Sequence, residues 1–307
     1  GQNIPYKGLE HIIQAGMQAP SGENTQPWKF NISGNYITVC VNKDADHSFF
    51  NTQQRASLLS CGAVIENIKI AASAFGLKCD INFNDKELED LNEVAKIHFI
   101  KSYINRDSLF RSIWERCTNR KQYSQKKLES FVFEEIQEIA KEFPGVSLSV
   151  VEDRSQLKEL KKALVKLGIA RTENPQVHKF LNHHIRQTFA EAQKEKIGFA
   201  INNLEVGAAG NFMLNMTKNW KVMNFLNKIG FAKVLANKVE EGIDNCGACI
   251  LITVPNNSAM SYLKGGQALE RIWLKLTEMG ISTQPMTTAK MMNNVNKNAR
   301  NIVVLLG

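Results

Sequence analysis

The chain has 307 residues, 43% of them hydrophobic and 22% charged, with a formal net charge of +8. That length and balance describe a globular protein with a sizeable core, in one large or two ordinary domains. They exclude a membrane span, because no apolar run approaches the roughly 18 residues a span needs, and a disulfide scaffold, because six cysteines scattered through apolar patterns lack the density and spacing for one. Residues 7–18 read as a helix that stops at a loop. The loop, QAPSGENTQPWKF over residues 18–30, holds Pro20 and Pro27, which remove backbone donors, and small polar residues that favour turns; it ends on Trp28, read as a core anchor. Residues 36–42 read as a strand and 57–75 as a long, almost wholly apolar and therefore buried helix stopped by Gly76. Strands at 78–83 and 94–101 follow. The order then begins again, with helix 127–142, strand 146–152, helix 154–167, a long insertion, strand 246–254, helix 261–279 and strand 301–306.

The charge does not point to nucleic acid. Lysines are mixed with glutamates on helical surfaces, and no basic block interleaves with aromatics, so a small anionic, phosphorylated ligand suits the balance better. Cys246 and Cys249 form C-G-A-C inside an apolar strand pattern, where residues three apart face opposite ways; they read as core rather than as a redox or metal pair. His183 and His184, adjacent on a polar helix with no carboxylate at ligand spacing, read as surface residues, and no metal site is expected. The cysteine usage and the lack of a signal-peptide pattern suit a cytoplasmic protein.

The recurrence can be followed residue by residue. SCGAVIENIKIAASAFGL (60–77) aligns without a gap on KGGQALERIWLKLTEMGI (264–281), pairing Gly62 with Gly266, Glu66 with Glu270, Ile68 with Ile272 and Gly76 with Gly280. With similar flanking strands, this reads as a duplicated unit, and two such units can pack about an internal pseudo-twofold.

APSGENTQPW (19–28) resembles the A-P-S-x-x-N-x-Q-P-W signature of the nitroreductase-like FMN-dependent oxidoreductases, and RCTNR (116–120) resembles their R-x-S-x-R phosphate clamp. In that family each flavin lies at a dimer interface, held by the clamp of one subunit and the P-S-x-x-N loop of the other. Here loop and clamp occur once each, in complementary halves. The resemblance therefore implies an α+β, nitroreductase-like fold of two tandem pseudo-repeats, an intrachain pseudo-dimer working as a monomer. The first half is 1–105, with the loop; the second is 106–307, with the clamp and an insertion at about 170–242. It implies one FMN per chain.

By the same resemblance Arg116, Thr118 and Arg120 hold the phosphate, whose charge suits guanidinium forks. Pro20, Ser21 and Asn24 meet the isoalloxazine edge or ribityl hydroxyls, and Gln26 braces the loop. GISTQPMTT (280–288) resembles the family segment that approaches flavin N5, placing Pro285, Met286, Thr287 and Thr288 beside the ring, with Lys297 and Arg300 as further phosphate candidates. The implied activity is two-electron reduction of nitroaromatics, quinones or enones by NADH or NADPH in a ping-pong cycle, carried by the flavin without a catalytic side chain. The alternative is a protein that stores or sequesters FMN without turnover. The insertion, Met- and aromatic-rich over 209–242, reads as extra packed helices, a lid, a partner surface or a membrane-surface element.

Overall fold

The computed structural model describes residues 6–84, 91–286 and 301–306, with 6, 7, 49 and 301–306 described by their backbone alone. Helix α1 (Tyr6–Gly16) turns Leu9, Ile12 and Ala15 inward at helical spacing. Strands β1 (Trp28–Ser33) and β2 (Tyr36–Val41) form a hairpin whose two-residue turn carries Gly34 at φ +55°, the left-handed conformation such turns require. Helix α2 (Arg55–Ala74) is buried over nearly its whole surface, as an apolar sequence on all sides demands. Strands β3 (Leu77–Phe83) and β4 (Ala95–Lys101) complete an antiparallel sheet in the order β1-β2-β4-β3.

The second sheet is built in the same way. After the short α3 (Ser112–Glu115) come α4 (Ser130–Lys141) and β5 (Ser147–Val151). Then a helical run departs from the pattern of the first half: α5 (Arg154–Thr172), α6 (Pro175–His184), β6 (Ile185–Arg186), α7 (Phe189–Glu195), β7 (Phe199–Ala200), α8 (Gly207–Thr217), α9 (Trp220–Lys228), α10 (Phe231–Val239) and α11 (Gly242–Asn245). β8 (Ala248–Thr253), α12 (Ala259–Glu278), β9 (Thr283–Pro285) and β10 (Asn301–Leu306) close the fold. The sheet order is β5-β8-β10-β9, again antiparallel throughout. Taken in chain order, the strands of the two sheets are arranged identically.

Helices α2 and α12 each share a core with one sheet and pack on each other between them. Their crossing depends on two glycines. A Cβ on Gly62 would run into the Leu263 carbonyl oxygen, and one on Gly266 into the Leu59 carbonyl oxygen. Leu59 and Leu263 immediately precede the aligned segments 60–77 and 264–281 at the same offset, so the close approach is reciprocal.

Several sequence expectations need correction. The helix expected over 154–167 runs on to Thr172, the end of the loop expected over 18–30 opens β1, and the segment after α12 holds the short strand β9, which the sequence reading leaves unassigned. Cys246 lies at the C-cap of α11, before β8 begins, so strand alternation does not apply to it; its Sγ is 3.9 Å from that of Cys249, and both are buried. His184 is not a surface residue. It is 4% exposed and its Nδ1 contacts the Phe180 carbonyl at 2.9 Å, whereas His183 is exposed.

Candidate functional site

The loop after α1 is held in an uncommon shape. Glu23, Asn24 and Gln26 all take positive φ, between 48° and 53°, a conformation that side chains other than glycine adopt rarely and only when surroundings impose it. Part of the imposition is local: the Gln26 backbone N–H donates to Ser21 Oγ at 3.0 Å, and Trp28 is buried in the core below. The rest comes from the insertion. Asn24 Nδ2 donates to the Gly198 carbonyl at 2.8 Å, the Gly198 N–H donates to the Asn24 carbonyl at 3.3 Å, and Gln26 Nε2 donates to the Lys196 carbonyl.

Residues 116–120 leave α3 as an extended segment beside the start of β9. Thr118 bridges Thr283, and the Asn119 N–H donates to the Thr283 carbonyl at 2.9 Å. Arg116 points back toward the first half: its Nη2 donates to the Gln18 carbonyl at 2.9 Å, its Nε lies 3.5 Å from Glu270, and its guanidinium stacks 4.4 Å from the Trp273 ring centre. Arg120 faces the insertion. Its backbone N–H donates to Glu205 at 3.3 Å, its Nη1 donates to the Asn203 carbonyl at 3.4 Å, and its guanidinium lies over Phe199. Burial lowers its pKa, against the opposing pull of Glu23 and Glu205.

Three segments distant in sequence thus meet: the loop 18–26, the segment 116–121 and the strip 196–205. Pro285 is half-buried two residues beyond Thr283. The Met286 side chain is buried in a cluster with Tyr123, Cys246 and Cys249. Thr287, Thr288, Lys297 and Arg300 lie outside the described residues. Sequence reasoning did not find Gln18, Glu205 or the strip around it; only Glu270 had a signal, its pairing with Glu66. Glu270 is fully buried, and burial raises its carboxyl to about 7, opposed by Arg116 and Asn67 and reinforced by Glu66. Neither of its oxygens accepts a hydrogen bond of good geometry among the described residues.

The residues suit an FMN phosphate in part. Arg120 and Thr118 offer a cation and a hydroxyl, and beside them the buried Thr283 Oγ1 has no hydrogen-bond partner among the described residues, as a group awaiting an acceptor or donor would stand. Arg116 suits it less, since two edges of its fork already face Gln18 and Glu270. Among the described residues no group of three or more His, Cys, Asp or Glu could hold a metal, and no helix is long and apolar enough to cross a membrane.

What fold and site define is a mixed helix and strand protein with two like-ordered four-stranded sheets and a junction where segments 18–26, 116–121 and 196–205 meet; over part of its length its sequence is similar to that of a nitroreductase. That similarity is to "Putative NAD(P)H nitroreductase acg" of Mycobacterium tuberculosis, 30% identical over 78 residues, which cover 24% of this chain and 22% of that protein. A broader match is to "Uncharacterized protein MT1398" of the same organism, 22% identical over 284 residues and 92% of this chain. The chain spans 39% of the length of that relative. No protein-family profile matches the chain. Among solved structures, the FMN-dependent nitroreductase NfnB from Mycobacterium smegmatis in complex with NADPH aligns with 64% of this chain and 85% of its own at a TM-score of 0.39 and 12% identity, too distant to bear on the fold.

Proposed function

We propose that the chain is an FMN-dependent oxidoreductase of the nitroreductase type, reducing nitroaromatic, quinone or enone-like acceptors with NADH or NADPH in a ping-pong cycle. It is built as two tandem pseudo-repeats, 1–105 and 106–307, that form an internal pseudo-dimer with one flavin site, and it works as a cytoplasmic monomer. The identical strand orders of the two sheets and the reciprocal contacts of Gly62 and Gly266 support the repeat. The partial similarity to a nitroreductase supports the reaction class. The observation that carries the site is the junction itself: Arg116 reaches Gln18 across 98 positions of sequence, and Glu23 lies close enough to Arg120 to shift its titration.

A bound flavin would supply two-electron transfer between the nicotinamide and the acceptor. The chain's own residues would hold and orient it. Arg120 and Thr118, with Arg116 beside them, would take the phosphate by charge-assisted bonds. Pro20 and Ser21 would offer the loop edge, Asn24 a side-chain amide, and Gln26 would keep the loop braced. Pro285, Met286, Thr287 and Thr288 would present backbone toward the ring. The strip 196–205 touches both loop and clamp, so it would exclude water as a lid.

That same strip favours one other reading, an FMN-storing protein whose lid bars substrates. Purified protein should release close to one FMN per chain and oxidise NADH or NADPH at turnover rates with menadione or a nitrofuran. Two flavins per chain, or none after reconstitution, refutes the single composite site; bound flavin inert to both nucleotides leaves storage.

A further inference from the structure

The insertion carries a surface whose composition departs from the rest of the chain. From Val206 to Val239 the sequence has five lysines and no aspartate or glutamate. The three helices in that stretch, α8, α9 and α10, pack in sequence on one another and, through α10, on α5, where Ala232 and Ala236 turn inward. Large apolar groups of this stretch stand in water: Phe212 is 68% exposed, Phe225 64%, Ile229 70% and Val234 65%. On α9, Lys221, Phe225 and Lys228 fall at i, i+4 and i+7, one face of a helix, with Ile229 at the C-cap just beyond, while Met223 faces inward. On α10, Val234 and Lys238 share a face four residues apart. Among the described residues Lys218, Lys221, Lys228 and Lys233 form no ion pair; Lys238 alone pairs, with Glu241 beyond the stretch.

We propose that this face of α8–α10 docks on an anionic membrane surface, lying in the interface without crossing it. Lysines would sit at the headgroups, and Phe225, Ile229 and Val234 would enter the headgroup–acyl boundary, where aliphatic and aromatic groups both gain from leaving water. The charge pattern selects this occupant. A second copy meeting the same face about a twofold axis would set four unpaired lysines against four. A nucleic acid would use the lysines but leave Ile229 and Val234 with nothing to bury against, since phosphodiesters and base edges reward hydrogen bonding and stacking. Neither residue belongs to the flavin site proposed above, so the two readings stand or fall apart.

The test is sedimentation of the full chain with phosphatidylcholine vesicles containing about one third phosphatidylserine, against vesicles of phosphatidylcholine alone, at physiological salt. The chain should pellet with the anionic vesicles, stay in solution with the neutral ones, and be released as salt rises. Each lysine near such a surface contributes about fivefold to partitioning, so the combined Lys221→Glu, Lys228→Glu, Lys233→Glu variant should lose at least about a hundredfold. The Phe225→Asp, Ile229→Asp variant should also bind weakly while melting at the wild-type temperature, because both side chains are exposed. If charge reversal disturbs folding, the triple Lys→Gln variant reads the same loss. A chain that stays in solution with anionic vesicles overturns the proposal, as does binding untouched by either variant. So does a dimer in solution that Phe225→Asp dissociates, or displacement from vesicles by a single-stranded oligonucleotide bound equally well.

Discussion

Glu66 on α2 and Glu270 on α12 occupy matching places in two matching helices, both fully buried, yet they are neutralised differently. Glu66 accepts from Arg271 at 2.9 Å and from Gln267 at 3.1 Å, both on the opposing helix, and from Lys69 at 3.2 Å on its own. The residue aligned with Arg271 is Asn67, so α2 offers Glu270 no cross-helix cation. Its compensation comes instead from Arg116, an ion pair at 3.5 Å from outside the helix pair. The carboxyl is left poorly satisfied, and burial raises it to about 7. The difference between these two aligned positions lies at Arg116, the arginine that the resemblance assigns to the phosphate clamp, which here also reaches the Gln18 carbonyl 98 positions away.

The largest effect is expected from removing that arginine. At pH 8, where Glu270 is charged, Arg116→Ala should cost about 3–5 kcal/mol of unfolding free energy by leaving a buried carboxylate alone. Arg271→Ala should cost less than half as much, because Glu66 keeps Lys69 and Gln267 and the other two carboxylates that Arg271 pairs with, Asp107 and Glu142, are both reached by solvent. Equal losses in urea titrations of the two variants would erase the asymmetry.

The next effect is on pH dependence. Folded Glu270 holds its proton up to about 7, whereas the unfolded carboxyl releases it near the ordinary 4.5. The folded state therefore binds more protons in that window. Its contribution to stability is whole below about 4.5 and declines as pH rises, by up to about 3 kcal/mol by pH 7. Glu270→Gln should flatten that slope, and an unchanged profile between pH 4.5 and 7 would reject the assignment.

Smaller effects separate the clamp's two arginines by role. Arg120 has no buried carboxylate to neutralise, so Arg120→Ala should leave the melting temperature nearly unchanged while weakening FMN binding by about 1.5–3 kcal/mol, the worth of a charge-assisted contact. Calorimetric titration of FMN into both variants reads the contrast directly; loss of stability in Arg120→Ala with unaltered FMN affinity would reverse the roles. The smallest change is expected at Asn24, where substitution by alanine removes one neutral donor. About 1 kcal/mol of FMN affinity should go with it, and an Asn24→Ala protein that binds FMN as the wild type does would show that this amide serves only to tie the loop to Gly198.

Much of the architecture was legible in the chain. The apolar run of α2, the glycines at 62 and 266, the recurrence of elements and the burial of Trp28 all follow from local periodicity and from where backbone can or cannot bend, and these are properties that neighbouring residues carry together. The signature loop was legible as a loop for the same reason. Its partners were not. That Asn24 meets Gly198, that Arg120 meets Glu205 and that Cys246 comes within 3.9 Å of Cys249 are pairings that no spacing encodes. The last of these turns on one residue, because a helix ending at Asn245 rather than a strand beginning earlier carries Cys246 to the same side as its neighbour. Sequence by itself determined most of the helices and strands outside the insertion, though not β1 or β9, because backbone hydrogen bonding and side-chain burial repeat at short range. Only tertiary structure decided which charge answers which, because a buried carboxylate takes whatever cation the packing brings within reach, however far along the chain it lies.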